Sequence, residues 1–321
     1  MATSVVKGLV AGVLIAAAGT AAAPARALAE PEVPTPTFVP APSDHQPGSS
    51  EYVPPSDNQP RPAAVVDTLP GFITMDRTGT SSFAGMQLGF VKIDDTSLSD
   101  GFLMRINPYG QYMFPNRQVG VFGQLSLAHA FDFTGADATG FGNIEMGGLY
   151  LPMSDSRLIL RASLALPTSS SDDLGDVFSN LFTQYERLTD VVLVAPEYTT
   201  LRLSASTVQQ MDAFFLRADG GFDLVFSKPG TADGAAWAFF RANVAGGIRT
   251  DAVDFALELV NIAALGGDNL DGITERFQHT AAIGARTRGE DQFHLGMVFP
   301  LDENTRGELW ILSLGYMRAF N

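Results

Sequence analysis

The sequence predicts an all-β chain: a transmembrane antiparallel up-and-down β-barrel of about 12 strands, preceded by a signal peptide and a disordered Pro-rich segment. Three observations carry this. Apolar and polar residues alternate with period two in segment after segment from about residue 83 to the end. The links between those segments are short and long in turn. The polar face carries charges of both signs, more than a soluble core buries without neutralising them.

The leader comes first. Lys7 precedes an apolar run from Gly8 to about Ala23, and small residues follow up to Ala27-Leu28-Ala29. That is the layout of a secretory signal, expected to span residues 1–29 and to be cleaved after Ala29. The run is short for a membrane-spanning helix and stops at Pro24. With 0 Cys in the chain, no disulfide framework, thiolate metal site or lipoprotein anchor is expected.

Residues 30–80 are expected to form a periplasmic linker. From Glu30 to about Asp67 proline, serine and acidic residues dominate without apolar periodicity, and such a stretch buries too little to offset its ordering. The barrel is expected over residues 81–321.

Its strands are expected near 83–92, 101–113, 118–131, 141–152, 157–167, 199–206, 211–227, 235–249, 252–264, 276–287, 291–299 and 306–320. In 252–264, Val253, Ala256, Leu257 and Val260 also fit a helical face. The alternation of Val253, Phe255, Leu257 and Leu259 with Asp254, Ala256 and Glu258 favours a strand. Residues 176–189 suit a short helix inside a loop.

Links after even-numbered strands are tiny, reading FPNR, MSDS, TVQQ, TD and RGE. Links after odd-numbered strands are mostly longer, among them IDDTSLSD, DFTGADATG and the stretch from Thr168 to Tyr198. Short turns at one end and long loops at the other is the layout of a bacterial outer-membrane barrel, with both termini periplasmic. An open sheet is forbidden in hydrocarbon, so the strands must close.

Closure assigns the faces. In SRLILRASLALPTSS, Leu158, Leu160, Ala162, Leu164 and Leu166 meet lipid, whereas Arg157, Ile159, Arg161, Ser163 and Ala165 face the lumen. The lumen or selectivity set expected on this basis is Arg105, Glu145, Arg161, Arg217, Asp223, Arg241, Glu258 and Arg286, joined by Asp219 and Asp254.

The last strand, SLGYMRAFN, resembles the C-terminal signal by which outer-membrane barrels are read by their assembly machinery, with Phe320 as its aromatic end. Arg318 stands where an apolar residue is usual, and Asn321 follows the Phe. The stretch ATGFGNIEMGGLYLPMSDSRLILRASLALPTSS, together with VDFALELVNIAALGG, resembles outer-membrane barrels labelled as transporters linked to phenol and aromatic-compound degradation. That resemblance implies the same fold over Ser82 to Asn321.

Chemistry is sparse. His45 lies in the linker and His129 near a strand end. His279 is expected to face outward while Thr280 faces inward, so the pair diverges and no catalysis is expected. Loop acids Asp94, Asp95, Asp172, Asp173, Asp268 and Asp271 read as solvated, and GGDNLDG lacks the later bidentate Glu of a calcium loop. No metal, cofactor or nucleotide site is expected. A net charge of −15 with 20 scattered basic residues argues against a nucleic-acid partner.

The expected function is passive passage or uptake of a small solute through a charge-lined lumen, either a narrow aqueous path or one blocked by side chains and loop 168–198. The alternatives are a closed structural or surface-interaction barrel and, third, an outer-membrane hydrolase. The expected surroundings are outer-membrane lipid and the barrel-assembly machinery.

Overall fold

The computed structural model describes residues 72–93, 102–133, 136–152, 158–169, 184–193, 198–226, 237–265, 277–302, 306 and 309–320. The expected signal peptide, most of the linker, Arg157, the acidic loop residues and GGDNLDG lie outside the described residues.

Strand segments run in the order β1 (Ser82–Ile93), β2 (Phe102–Met113), β3 (Val119–Gln124), β4 (Leu127–Phe133), β5 (Ala136–Phe141), β6 (Ile144–Tyr150) and β7 (Leu158–Leu166). A 3-10 segment, η1 (Gln184–Leu193), follows. Then come β8 (Thr199–Met211), β9 (Phe214–Phe226), β10 (Trp237–Arg249), β11 (Val253–Leu265), β12 (Phe277–Thr287), β13 (Asp291–Pro300) and β14 (Leu309–Phe320). β3 with β4, and β5 with β6, are single strands with one interruption each, so the wall has twelve strands.

Each strand pairs antiparallel with its neighbours, and β1 pairs with both β2 and β14, which closes the sheet. Closure removes the free edge that hydrocarbon would not tolerate. Ser82 lies opposite Phe320, so the described ends of the barrel sit together, at the end that carries the tight turns.

Two expected boundaries move. The DFTGADATG link is mostly strand: β4 runs to Phe133 and β5 starts at Ala136, with Leu127 opposite Phe141. The TVQQ turn is strand as well, and the chain reverses at Asp212–Ala213, where Asp212 takes φ 52°. Asp tolerates that left-handed region because its short side chain can bond locally.

The exterior is apolar as expected. Leu257, Phe214 and Phe293 are 62%, 59% and 57% exposed, and Leu158, Leu160, Leu164 and Leu166 all face out. Strands of 9 to 13 residues such as β7 and β9 span an apolar band about 25 Å tall when tilted.

The interior departs from a purely polar wall. Phe239, Val225, Val260, Ile262 and Ala264 also point inward and pack on Leu188, Val191, Val192 and Leu193 of η1. The physical reason is coverage: where a segment fills the lumen, the inner face is a dry core and apolar side chains belong there.

Candidate functional site

Three layers meet inside the barrel: the wall, η1, and residues 72–78, which precede β1. Sequence reading placed those residues at the end of the linker, yet Phe72, Ile73, Thr74, Met75 and Asp76 are all buried in the lumen.

This segment is held by its main chain. Glu258, directed inward from β11, accepts the backbone N–H of Phe72 (2.6 Å) and Ile73 (2.9 Å) on one oxygen. Its other oxygen accepts Thr74 N–H (2.7 Å), Thr74 Oγ1 (2.8 Å) and Met75 N–H (3.2 Å). Consecutive N–H groups converging on one carboxylate form an anion nest. The carbonyls bond the other way. Arg187 donates to Ile73 O (2.8 Å) and Met75 O (2.7 Å), and Thr189 Oγ1 donates to Thr74 O (2.7 Å). Arg217 on β9 donates to Asp76 O.

Ile73 occupies a socket of bare backbone. Gly284 on β12 lies opposite Gly296 on β13, and a Cβ added at Gly296 would stand 2.6 Å from Ile73 Cδ1. Phe72 lies under the Arg286 guanidinium, 4.7 Å from its ring centre, and near His294.

The break between β5 and β6 seats η1. Asn143 donates its N–H to Leu193 O (2.6 Å) and its Nδ2 to Val192 O (3.1 Å). Inside η1 the helical turns are interrupted at Arg187, whose φ of −142° turns the side chain's segment away from helical geometry. Arg187 then binds Asp190 at 2.9 Å.

Arg105, Glu145, Arg161, Arg217, Asp223, Arg241, Glu258 and Arg286 all turn into the barrel interior. Arg241 joins Asp223 (3.0 Å) to Asp76 (3.1 Å). Arg161 reaches Asp76 at 3.4 Å and lies over the Phe122 ring at 3.9 Å. Glu145 takes Arg202 at 2.8 Å, Arg217 pairs with Asp219, and Arg286 with Asp254 at 3.0 Å. Arg105 bonds Ser126 (2.9 Å) and approaches Asp190 at 3.4 Å. Glu258 alone of the eight is held by the 72–75 backbone instead of by an arginine fork.

Sequence reading missed Asp76, Arg77, Glu186, Arg187, Asp190 and Arg202. For Arg202 a signal existed, since its antiparallel partner across β8 and β9 is the expected lumen residue Asp223. With these added, among the described residues the lumen buries eight arginines to less than a tenth exposed (77, 105, 161, 187, 202, 217, 241, 286) and eight carboxylates (76, 145, 186, 190, 219, 223, 254, 258), with Arg249 at its rim on Asp254. Balance of that kind is what lets so many charges be dehydrated together.

Asp76 and Asp190 sit on the lumen-filling segments, not on spanning strands. Burial pushes each carboxyl upward, but the guanidinium groups around it win. Arg241 and Arg161 hold Asp76 well below the usual carboxylate range, and Arg187 and Arg77 do the same for Asp190.

His279 faces outward, 2.8 Å from Asp302, whereas Thr280 is wholly buried on the inner side, so the pair diverges.

No family model and no curated protein matches the chain. A solved outer membrane channel from Pseudomonas putida F1 superposes with a TM-score of 0.51 at 15% identity, over 78% of this chain and 99% of that one. The chain has the fold of an outer-membrane β-barrel. The beta domain of the Bordetella autotransporter BrkA is similar at a TM-score of 0.44 and 11% identity, over 75% of this chain and 99% of that one. The KdgM porin stands at 0.41 and 10%, over 74% and 99%. For this outer-membrane barrel the exposed apolar belt meets lipid, and the plugged, charge-balanced lumen is the candidate site.

Proposed function

We propose that this barrel takes up small solutes passively across the outer membrane, with its lumen as the path. The carrying observation is that the obstruction is not the wall. Two non-strand segments, residues 72–78 and η1, fill the interior and are held there largely by side chains. A wall of twelve strands without them encloses a passage lined by Arg105, Glu145, Arg161, Arg217, Asp223, Arg241, Glu258 and Arg286, which would set charge selectivity. The fold shared with an outer membrane channel supports this reading, as does the resemblance to barrels linked to aromatic-compound degradation.

The signal peptide 1–29, the periplasmic placement of both ends and recognition of the β14 end by the assembly machinery through Phe320 belong to the same proposal.

Planar-bilayer conductance of the purified chain tests it. Discrete openings are expected, and Arg161→Glu or Arg241→Glu should shift the reversal potential toward cation preference. Openings with unchanged selectivity would remove these arginines from the path. A second reading, a closed structural barrel, is favoured by the completeness of the lumen ion pairs. It predicts no opening at any voltage and no swelling of solute-loaded liposomes, and that pair of results would replace the uptake reading.

A further inference from the structure

The contacts of residues 72–76 have a pattern that an ordinary core segment lacks. Their N–H groups meet the Glu258 carboxylate, and their carbonyls meet the side chains of Arg187, Thr189 and Arg217. The tract therefore reads the main chain of a bent segment, with a glycine-floored socket for one aliphatic side chain, Ile73.

What would be left behind is equally informative. The wall pairs Arg241–Asp223, Arg202–Glu145, Arg217–Asp219 and Arg286–Asp254 do not involve the segment and survive its absence. The segment carries one Asp and one Arg, Asp76 and Arg77, so its departure removes one charge of each sign and leaves the net charge of the lumen unchanged. Among the described wall carboxylates, Glu258 is the one whose hydrogen bonds all come from the segment, and Arg161 has its ion pair with Asp76 of the segment. A wall whose four arginine–carboxylate pairs outlast the segment, with Arg161 released from Asp76 and one carboxylate exchanging peptide N–H groups for water, describes a receptor and its ligand.

We propose that the lumen is a binding site for one short bent peptide segment, that residues 72–76 of the chain itself are its occupant, and that they leave and re-enter with Glu258 as the latch. This deepens the uptake reading and rests on it for its purpose, since the vacated tract would be the open path.

The absence of cysteine in the chain makes the test clean. Ile73→Cys is introduced into the full chain, reconstituted in liposomes and exposed to a maleimide carried on a long polyethylene glycol, too bulky to reach the thiol while it is docked. Mass-tagging is expected without unfolding, and at least tenfold faster in a background of Glu258→Gln, which keeps the shape but loses the charge holding four N–H groups. Met75→Cys, equally buried, repeats the experiment should Ile73→Cys fail to fold. A thiol that reacts only when the barrel is denatured, in both backgrounds, would show a fixed core segment and overturn the proposal. Equal rates in the two backgrounds would remove Glu258 as the latch and overturn it too. Conductance on the same preparations separates the two readings: tagging without openings keeps the exchange and sinks uptake, and openings with an untagged thiol do the reverse.

Discussion

At the scale of single residues the lumen is a question of which charges can be dehydrated together. Arg241 bridges wall and plug, holding Asp223 and Asp76 at once. Arg241→Ala leaves Asp76 to Arg161 and Asp223 to Arg202, so a loss of about 3 kcal/mol is expected, as for breaking one side of a buried pair. Urea unfolding of the detergent-solubilised chain, followed by gel mobility, measures it. The plug should also resist acid. The folded-state carboxyls of Asp76 and Asp190 lie below their unfolded value near 3.8, so the stability they give is fully present above that value. It is lost only as pH falls through the lower folded values. Tagging of Ile73→Cys, corrected for the reagent's own pH dependence, should therefore be no faster at pH about 4.5 than at neutral pH. Acceleration between pH about 7 and 5 would place the acid-sensitive group outside the Asp76 and Asp190 ion pairs.

At the scale of elements the strands were legible, one filler was legible in part and the other was not. A strand declares itself locally, because period two needs only its own residues: Arg161 and Ser163 turn in while Leu160 and Leu164 turn out. Residues 72–78 declare nothing locally. Phe-Ile-Thr-Met-Asp-Arg-Thr has no alternation, and its burial depends on Glu258, Arg187 and Arg217, all far along the chain. For η1 the short helix expected at 176–189 and the blocking loop expected at 168–198 both overlap Gln184–Leu193, but nothing local pointed to its seat, Asn143 in the break between β5 and β6. The doubly apolar end of β11, Ile262 to Leu265, was the trace that η1 left in the sequence, since only a covered lumen makes both faces of a strand oily. Two outcomes belong here. Gly296→Val should expel Ile73 from its socket and speed plug exchange, and adding Ile73→Ala should restore the slow rate. Asn143→Ala removes bonds to η1 and to Ser169 and should cost about 1–3 kcal/mol, read as earlier protease cleavage near η1.

At the scale of the whole molecule, inside and outside are both accounted for by solvent. Lipid faces Leu257 and Phe293, and packed segments face the arginines. Leu257→Arg should cost about 2–4 kcal/mol in bilayers if that position lies near the midplane. A comparable change toward a detergent-solubilised, more hydrated belt should be milder, and equal costs in both would contradict a lipid-facing Leu257.

One feature of the wall bears on how such a molecule is made. The rungs from Ser82 opposite Phe320 to Ile93 opposite Leu309 join the first strand to the last. The ring therefore cannot be hemmed until synthesis and export of the final strand are complete, and loop closure on that span is slow. Residues 72–78 sit immediately ahead of the first strand, so they are synthesised before any strand of the wall that encloses them. Whatever stitches the hem thus also decides when the filling is enclosed, and a nascent chain stalled before its last strand would be a trough with its contents still within reach of the surrounding water.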